Sequence, residues 1–176
     1  MLNLHHYTEK EQKQLLKSLV ILRDSREQEN SHLTSYFDRK GIVHEEFKLD
    51  FGDYSVKLPA SPDLGISRDL YFNGEIVIER KNSLEEISSN LAGGRERFKD
   101  EFLRAGNCRK ILLIERGSWD DILAGNYKTD LSPASFYASL LSFQQRYSLQ
   151  IAFVSKANSG AFIHGALYYY IRQLVS

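Results

Sequence analysis

Three short apolar runs, Leu19-Val20-Ile21-Leu22, Ile76-Val77-Ile78 and Ile111-Leu112-Leu113-Ile114, lie far apart in the chain, and each passes directly into charged residues. Runs of this length read as buried strands. The segments between them carry helix signals. Thr8 with Glu11, and Ser83 with Glu86, fit capping boxes, in which a hydroxyl and a carboxylate satisfy the free N–H groups of a first helical turn. Gly41 stops a helix that starts at Ser31, and Gly93-Gly94 breaks the Ser83 helix before a second one runs to Ala105. Ser132-Pro133 places an N-cap residue before an N1 proline, which starts a helix through Tyr147. Leu149 to Val154 reads as a strand and Ser159 to Val175 as a terminal helix. Ile42 to Leu49, Tyr54 to Leu58 and Glu75 to Ile78 read as further extended runs, the last two joined by a proline- and glycine-marked turn into a long antiparallel hairpin. Strands interleaved with helices predict an α/β fold, an α/β/α sandwich around a central mixed β-sheet.

At 176 residues and 42% hydrophobic content, one domain with a real core is the expectation, preceded by a helical extension over 1–17. The apolar runs fall far short of a bilayer span, and Met1 to Lys10 has no apolar secretory core, so no membrane association and a cytoplasmic or nucleoid-associated protein are expected. Cys108 is the only cysteine, which excludes a disulfide framework and a cysteine-based zinc site within one chain. Lys and Arg balance Asp and Glu at a formal net charge of zero. Nucleic acid held by bulk electrostatics is therefore disfavoured, and any such binding must use a local patch.

The chemistry concentrates where the second apolar run meets Glu79-Arg80-Lys81. A charged triplet directly after a buried strand must stay solvated, pair up, or bind something. Period-two alternation points Glu79 and Lys81 to one face and Arg80 to the other. The hairpin brings Asp53, at the start of its partner strand, beside them, and Asp24 just past the first strand can add another carboxylate. Carboxylates that hold a divalent cation, with a lysine near the reacting phosphate, meet the needs of phosphodiester hydrolysis. The plainer alternative is a Glu79–Lys81 salt bridge.

Asp24-Ser25-Arg26-Glu27, Gly52-Asp53-Tyr54 and Ile78-Glu79-Arg80-Lys81, with an acidic residue four beyond the lysine, together resemble the XPF, Hef and Mus-type nuclease domain family. The family pattern is an Asp, a Gly-Asp, and Glu-Arg-Lys-x3-Asp, and the likeness extends over about residues 18 to 156. The resemblance implies a restriction-endonuclease-like fold over 18–176 and cleavage of branched or flapped DNA with Mg2+ or Mn2+. It makes Asp24, Asp53 and Glu79 the acidic, metal-holding site. Lys81 would position the attacking water or stabilise charge, and Arg80 would contact phosphate or organise the site. The final family Asp is replaced here by Glu85, while Glu86 beside it is the expected capping partner of Ser83. Gly94-Arg95 matches the family's Gly-Arg, so Arg95, together with Arg26 of the first motif, is the expected DNA contact. For Arg97, Lys99 and Arg104, interleaved with Glu96, Asp100 and Glu101, a solvated helix face is the expectation.

His5, His6, His32, His44 and His164 show no metal-ligand spacing and are assigned no role. Glu115, at a strand end, is expected to be solvated. Trp119 and Tyr168-Tyr169-Tyr170 are expected in cores or interfaces rather than stacked on bases. The apolar stripe of the last helix suits core packing and a homodimer contact. No helix-hairpin-helix module is expected, and substrate choice is then expected to rest on the domain itself or on a partner protein. The competing reading is a catalytically silent DNA-binding or scaffold module of the same fold.

Overall fold

In the computed structural model, which describes residues 6–176, the apolar runs become the middle of a seven-stranded sheet. His5 lies outside the described residues. The strands are β1 (Val20–Asp24), β2 (His44–Phe47), β3 (Tyr54–Leu58), β4 (Leu70–Tyr71), β5 (Ile76–Lys81), β6 (Arg109–Ile114) and β7 (Leu149–Phe153). Their order is β2-β1-β3-β5-β6-β7, with β4 on the side of β3. β3 runs antiparallel to β1 and β5, while β1–β2, β5–β6 and β6–β7 are parallel, so the sheet is mixed as expected.

The helices are α1 (Glu9–Lys17), α2 (Ser31–Lys40), α3 (Leu84–Ala92), α4 (Arg95–Arg104), α5 (Trp119–Ala124), α6 (Pro133–Tyr147) and α7 (Ser159–Val175). Their ends follow local chemistry. Thr8 and Glu11 close a complete capping box, Gly41 ends α2 at φ 64°, and the Ser132 hydroxyl accepts from the Ser135 N–H ahead of α6. On one face of the sheet, Leu15 of α1, Leu33 and Phe37 of α2, and Leu167 of α7 pack on Ile21, Val56 and Ile78. On the other, Leu84, Phe98, Phe102 and Phe136 of α3, α4 and α6 pack on Val77 and Leu112. Each such side chain contributes about 1.5–3 kcal/mol by leaving water. Two helical layers on one sheet make the α/β/α sandwich.

Three expectations need correction. β3 and β5 meet at a single register pair, Tyr54 with Ile78, because β4 takes the far end of β3 at Lys57 and Leu58. The long hairpin is therefore short. The strand expected over Ile42 to Leu49 narrows to β2, since Leu49 turns inward to donate its N–H to Asp24. α5 was not expected. Its signals are Ser118, whose hydroxyl accepts from the Asp121 N–H, and Gly125, which closes the helix at φ 72°. Trp119 of α5 packs edge-on against Tyr137 and Phe153, as expected for a core aromatic.

β5 carries this layering to its end. Ile76 and Ile78 enter one core and Val77 the other. Alternation then sends Glu79 and Lys81 to the Val77 side, under α3 and α4, and Arg80 to the side of α2 and α7.

Candidate active site

Asp53 is fixed by backbone bonds to two strands. Its N–H donates to the Ile78 carbonyl at 2.9 Å, and its own carbonyl accepts from the Asp24 N–H at 2.8 Å. Its carboxylate Oδ2 accepts the Arg80 N–H at 2.7 Å, while Oδ1 takes no hydrogen bond among the described residues. Gly52 makes this close crossing possible. It sits at φ 76°, and a Cβ there would lie 3.1 Å from the Val77 Cβ and 3.3 Å from the Ile78 carbonyl oxygen. A side chain would be strained in both torsion and space.

Asp53, Glu79 and Lys81 share a cleft of about 400 Å³, walled by Asp24, Arg26 and Phe51 on one side and by Asn90, Phe98 and Glu101 on the other. The salt bridge also forms: Lys81 Nζ lies 2.8 Å from Glu79 Oε1, with Glu86 at 3.6 Å and the Phe98 ring beneath at 5.7 Å. Burial, and then the Glu79 charge, push the Asp53 carboxyl well above the usual carboxylate range. Burial likewise raises Glu79, with Lys81 offsetting only part of it. For Lys81, burial works against the charge, but the neighbouring carboxylates outweigh it and raise the ammonium above its ordinary value. The cleft therefore holds two carboxylates that repel each other and a lysine that stays protonated.

Asp24 reaches the same cleft, but both its oxygens are committed. Oδ1 accepts from Arg26 N–H and Nε at 2.8 and 2.7 Å; Oδ2 accepts from Arg26 Nη2 at 3.0 Å and from the Leu49 N–H at 2.8 Å. Burial tends to raise Asp24, and these bonds more than reverse that, leaving it below the usual value. Among the described residues no three His, Cys, Asp or Glu side chains stand together as a ready metal set. Of the three expected carboxylates, Asp53 and Glu79 face the cleft, while Asp24 is bonded to Arg26 and Leu49.

Arg80, expected to contact phosphate or organise the site, has its side chain on the opposite face. Its Nη1 meets Glu27 at 2.8 Å and its Nη2 meets Glu115 at 2.9 Å, while His32 Nε2 closes on Glu115 Oε1 at 2.7 Å. Arg80 is 5% exposed, so a phosphate contact is corrected; only its N–H touches the site, through Asp53. Glu115, expected to be solvated, is buried in this network. Burial tends to raise it, but hydrogen bonds from Arg80, His32 and Ser159 hold it down at about 2.

Glu85 does not line the cleft; its Oε1 accepts the Lys128 N–H at 3.2 Å. Glu86 instead reaches back to the Asn82 N–H at 2.8 Å, while its own N–H donates to the Ser83 hydroxyl. Arg26, the other expected DNA contact, lines the cleft. Arg95 turns away: Nη1 donates to the Ser139 hydroxyl at 3.1 Å and the guanidinium lies over Phe143. Arg97 and Arg104, read from sequence as a solvated face, line the cleft in its place.

A family model described as "ERCC4 domain" matches residues 23–165. Among solved structures, XPF from Aeropyrum pernix is similar at a TM-score of 0.61 and 20% identity, over 86% of this chain and 61% of that one. A structure of XPF from Aeropyrum pernix in complex with DNA is similar at 0.61 and 19%, over 88% and 65%. This chain thus spans less than two thirds of either. The shared architecture is the restriction-endonuclease-like sandwich. No curated protein matches the sequence.

Proposed function

The chain belongs to the ERCC4 domain family, the XPF-type nuclease domains, and on that premise we propose that it is a metal-dependent DNA endonuclease. The substrate we assign is branched or flapped DNA, met in repair, recombination, or phage and mobile-element DNA metabolism. The observation that carries this reading is the Asp53–Glu79 pair, two carboxylates raised by burial, Asp53 also by the Glu79 charge, in a cleft with Lys81 on the same face. Side chains with only a structural task have no reason to keep such repulsion. The Asp53 Oδ1 and the Glu79 carboxylate fit Mg2+ or Mn2+, which are commonly held by one or two carboxylates plus waters and substrate phosphate. A divalent ion there supplies a Lewis acid for a phosphoryl oxygen and a water of lowered pKa.

The chain's own residues do the rest. Lys81, protonated at neutral pH, cannot take a proton from water; it donates to the charge that develops on the phosphate. Asp24 holds Arg26 at the cleft rim by a two-pronged bond, and Arg26 meets a backbone phosphate there. The Arg80 N–H fixes which way the Asp53 carboxylate faces. We take 18–176 as the nuclease domain and 1–17 as an extension whose Leu15 and Leu16 cover the α7 side.

A silent binding or scaffold module is the second reading, favoured by the commitment of Asp24 to Arg26. Labelled flap, fork, Holliday-junction, duplex and single-stranded DNA, incubated with Mg2+, Mn2+ or chelator, separates the two. Metal-dependent cutting that disappears in Asp53→Asn supports the enzyme, and the preferred DNA names the substrate. Binding of branched DNA without cutting supports the silent module.

We further propose a homodimer through α7. Ile163, Leu167 and Ile171 fill the core, while Phe162, Ala166 and Tyr169 line a shallow depression of about 330 Å³ beside Ile111. Light scattering that gives a monomer at all working concentrations removes this element.

A further inference from the structure

The cations of the cleft fall into two classes. Arg26 is bound to Asp24 at 2.7 Å and Lys81 to Glu79 at 2.8 Å, so both charges are neutralised at short range by buried or part-buried carboxylates. Arg97 and Arg104 are not held in this way. The Arg97 side chain is 88% exposed and meets Glu101 only at 3.5 Å, an exposed pair of little energetic weight. Arg104 is exposed and makes no ion pair or hydrogen bond among the described residues.

Both arginines lie on α4, seven residues apart, which places them on one stripe about 10 Å apart along the helix axis. Phe98 and Phe102 anchor the other side of that helix in the core, so the stripe is presented rigidly to the cleft. The lining also contains Asp24, Asp50, Asp53, Glu79 and Glu101, five carboxylates against four cations. Such a cleft does not attract a polyanion by its overall charge, and the approach of DNA falls first to the cations that carboxylates hold least.

We propose that Arg97 and Arg104 of α4 are the phosphate grip of this cleft, seating the backbone on either side of the bond to be cut; this rests on the nuclease reading above. They act on binding and not on the chemical step, because neither touches Asp53, Glu79 or Lys81. The sequence conceals them, since Glu96, Asp100 and Glu101 cancel their charge in the chain but do not all share their stripe.

The test uses fluorescein-labelled flap DNA. Anisotropy in chelator, from about 50 to about 200 mM salt, is read beside single-turnover cleavage in Mg2+. The Arg97→Ala/Arg104→Ala variant is expected to bind on the order of tenfold more weakly, with its salt slope reduced by about one per arginine. Its cleavage rate at saturation stays at the wild-type value. Arg97→Lys/Arg104→Lys keeps the wild-type slope, since a phosphate contact needs the charge, and Lys99→Ala changes nothing. Coincident thermal unfolding checks that the variants fold. Wild-type binding that the double alanine variant matches in strength and slope overturns the proposal. Wild type that binds but does not cut leaves the grip standing and removes the nuclease step, whereas wild type that neither binds nor cuts removes both.

Discussion

Glu79 and Arg80 are adjacent in the chain, yet the last residues of β5 handle charge in opposite ways on the two faces of the sheet. On the α2 side, Arg80 is enclosed by Glu27 and Glu115, and His32 closes on Glu115, so positive and negative groups meet at hydrogen-bond distance. On the α4 side, Asp53 and Glu79 face the same cleft, and Lys81 neutralises only part of their charge. In the first arrangement the charges are paired within the chain, with Arg80 Nε left without a hydrogen-bond partner among the described residues, and the network fixes β5 against β6 and α2. The second leaves negative charge unbalanced, which on the proposed reading a divalent cation offsets. A structural ion network and a proposed ligand site thus derive from one Glu-Arg-Lys triplet.

The variant that breaks the contrast most strongly is Asp53→Asn. Loss of an ion ligand is expected to cost on the order of a thousandfold in cleavage, measured by single-turnover kinetics, while the fold persists. The mirror experiment is Glu115→Ala. It leaves Arg80 buried without its main counter-charge and is expected to cost about 3 kcal/mol in denaturant unfolding. If Glu115→Ala is neutral and Asp53→Asn unfolds the chain, the two faces have been assigned the wrong way round.

Acid sharpens the comparison, because the two faces respond with opposite signs. Glu115 is held at about 2 against an ordinary 4.5, so its stabilisation is complete above 4.5 and is lost as pH falls towards 2. Asp53 and Glu79 are raised, so their cost is present at neutral pH and disappears as acid protonates them. Unfolding followed from neutral pH downward should therefore show a steep loss in the lowest window that Glu115→Gln flattens and Asp53→Asn leaves in place. The smallest expected effect is that of Glu85→Ala. Its carboxylate caps the Lys128 N–H outside the cleft, and turnover should stay within about twofold of wild type, in keeping with an ordinary surface substitution.

The sandwich and the split of Glu79 and Lys81 from Arg80 were legible because strand alternation and helix caps are local rules. The Asp53 position was legible for the same reason, since a hairpin puts the start of one strand beside the end of the next. What was hidden depends on contacts between distant residues. Glu115 follows an apolar strand and reads as a solvated end, but the parallel register of β6 on β5, Lys81 with Ile114, places it within reach of Arg80. The need of a buried Arg80 for counter-charge was the available signal. Asp24 reads as a free carboxylate until Arg26, two residues on, folds back on it. Charge counting along α4 hid Arg97 and Arg104, because it sums over a helix whose faces see different surroundings.

The most direct test of the contrast is thermal unfolding of wild type and Asp53→Asn across a Mn2+ titration. Without metal, Asp53→Asn should melt higher, by about 2–4 °C for each kcal/mol of repulsion relieved. With increasing Mn2+, the wild-type Tm should climb and pass that of the variant, which stays flat, since only a folded state that binds the ion gains from it. Parallel rises in both proteins, or a wild type that melts higher than the variant without metal, contradict the claim that Asp53 and Glu79 form a cation site.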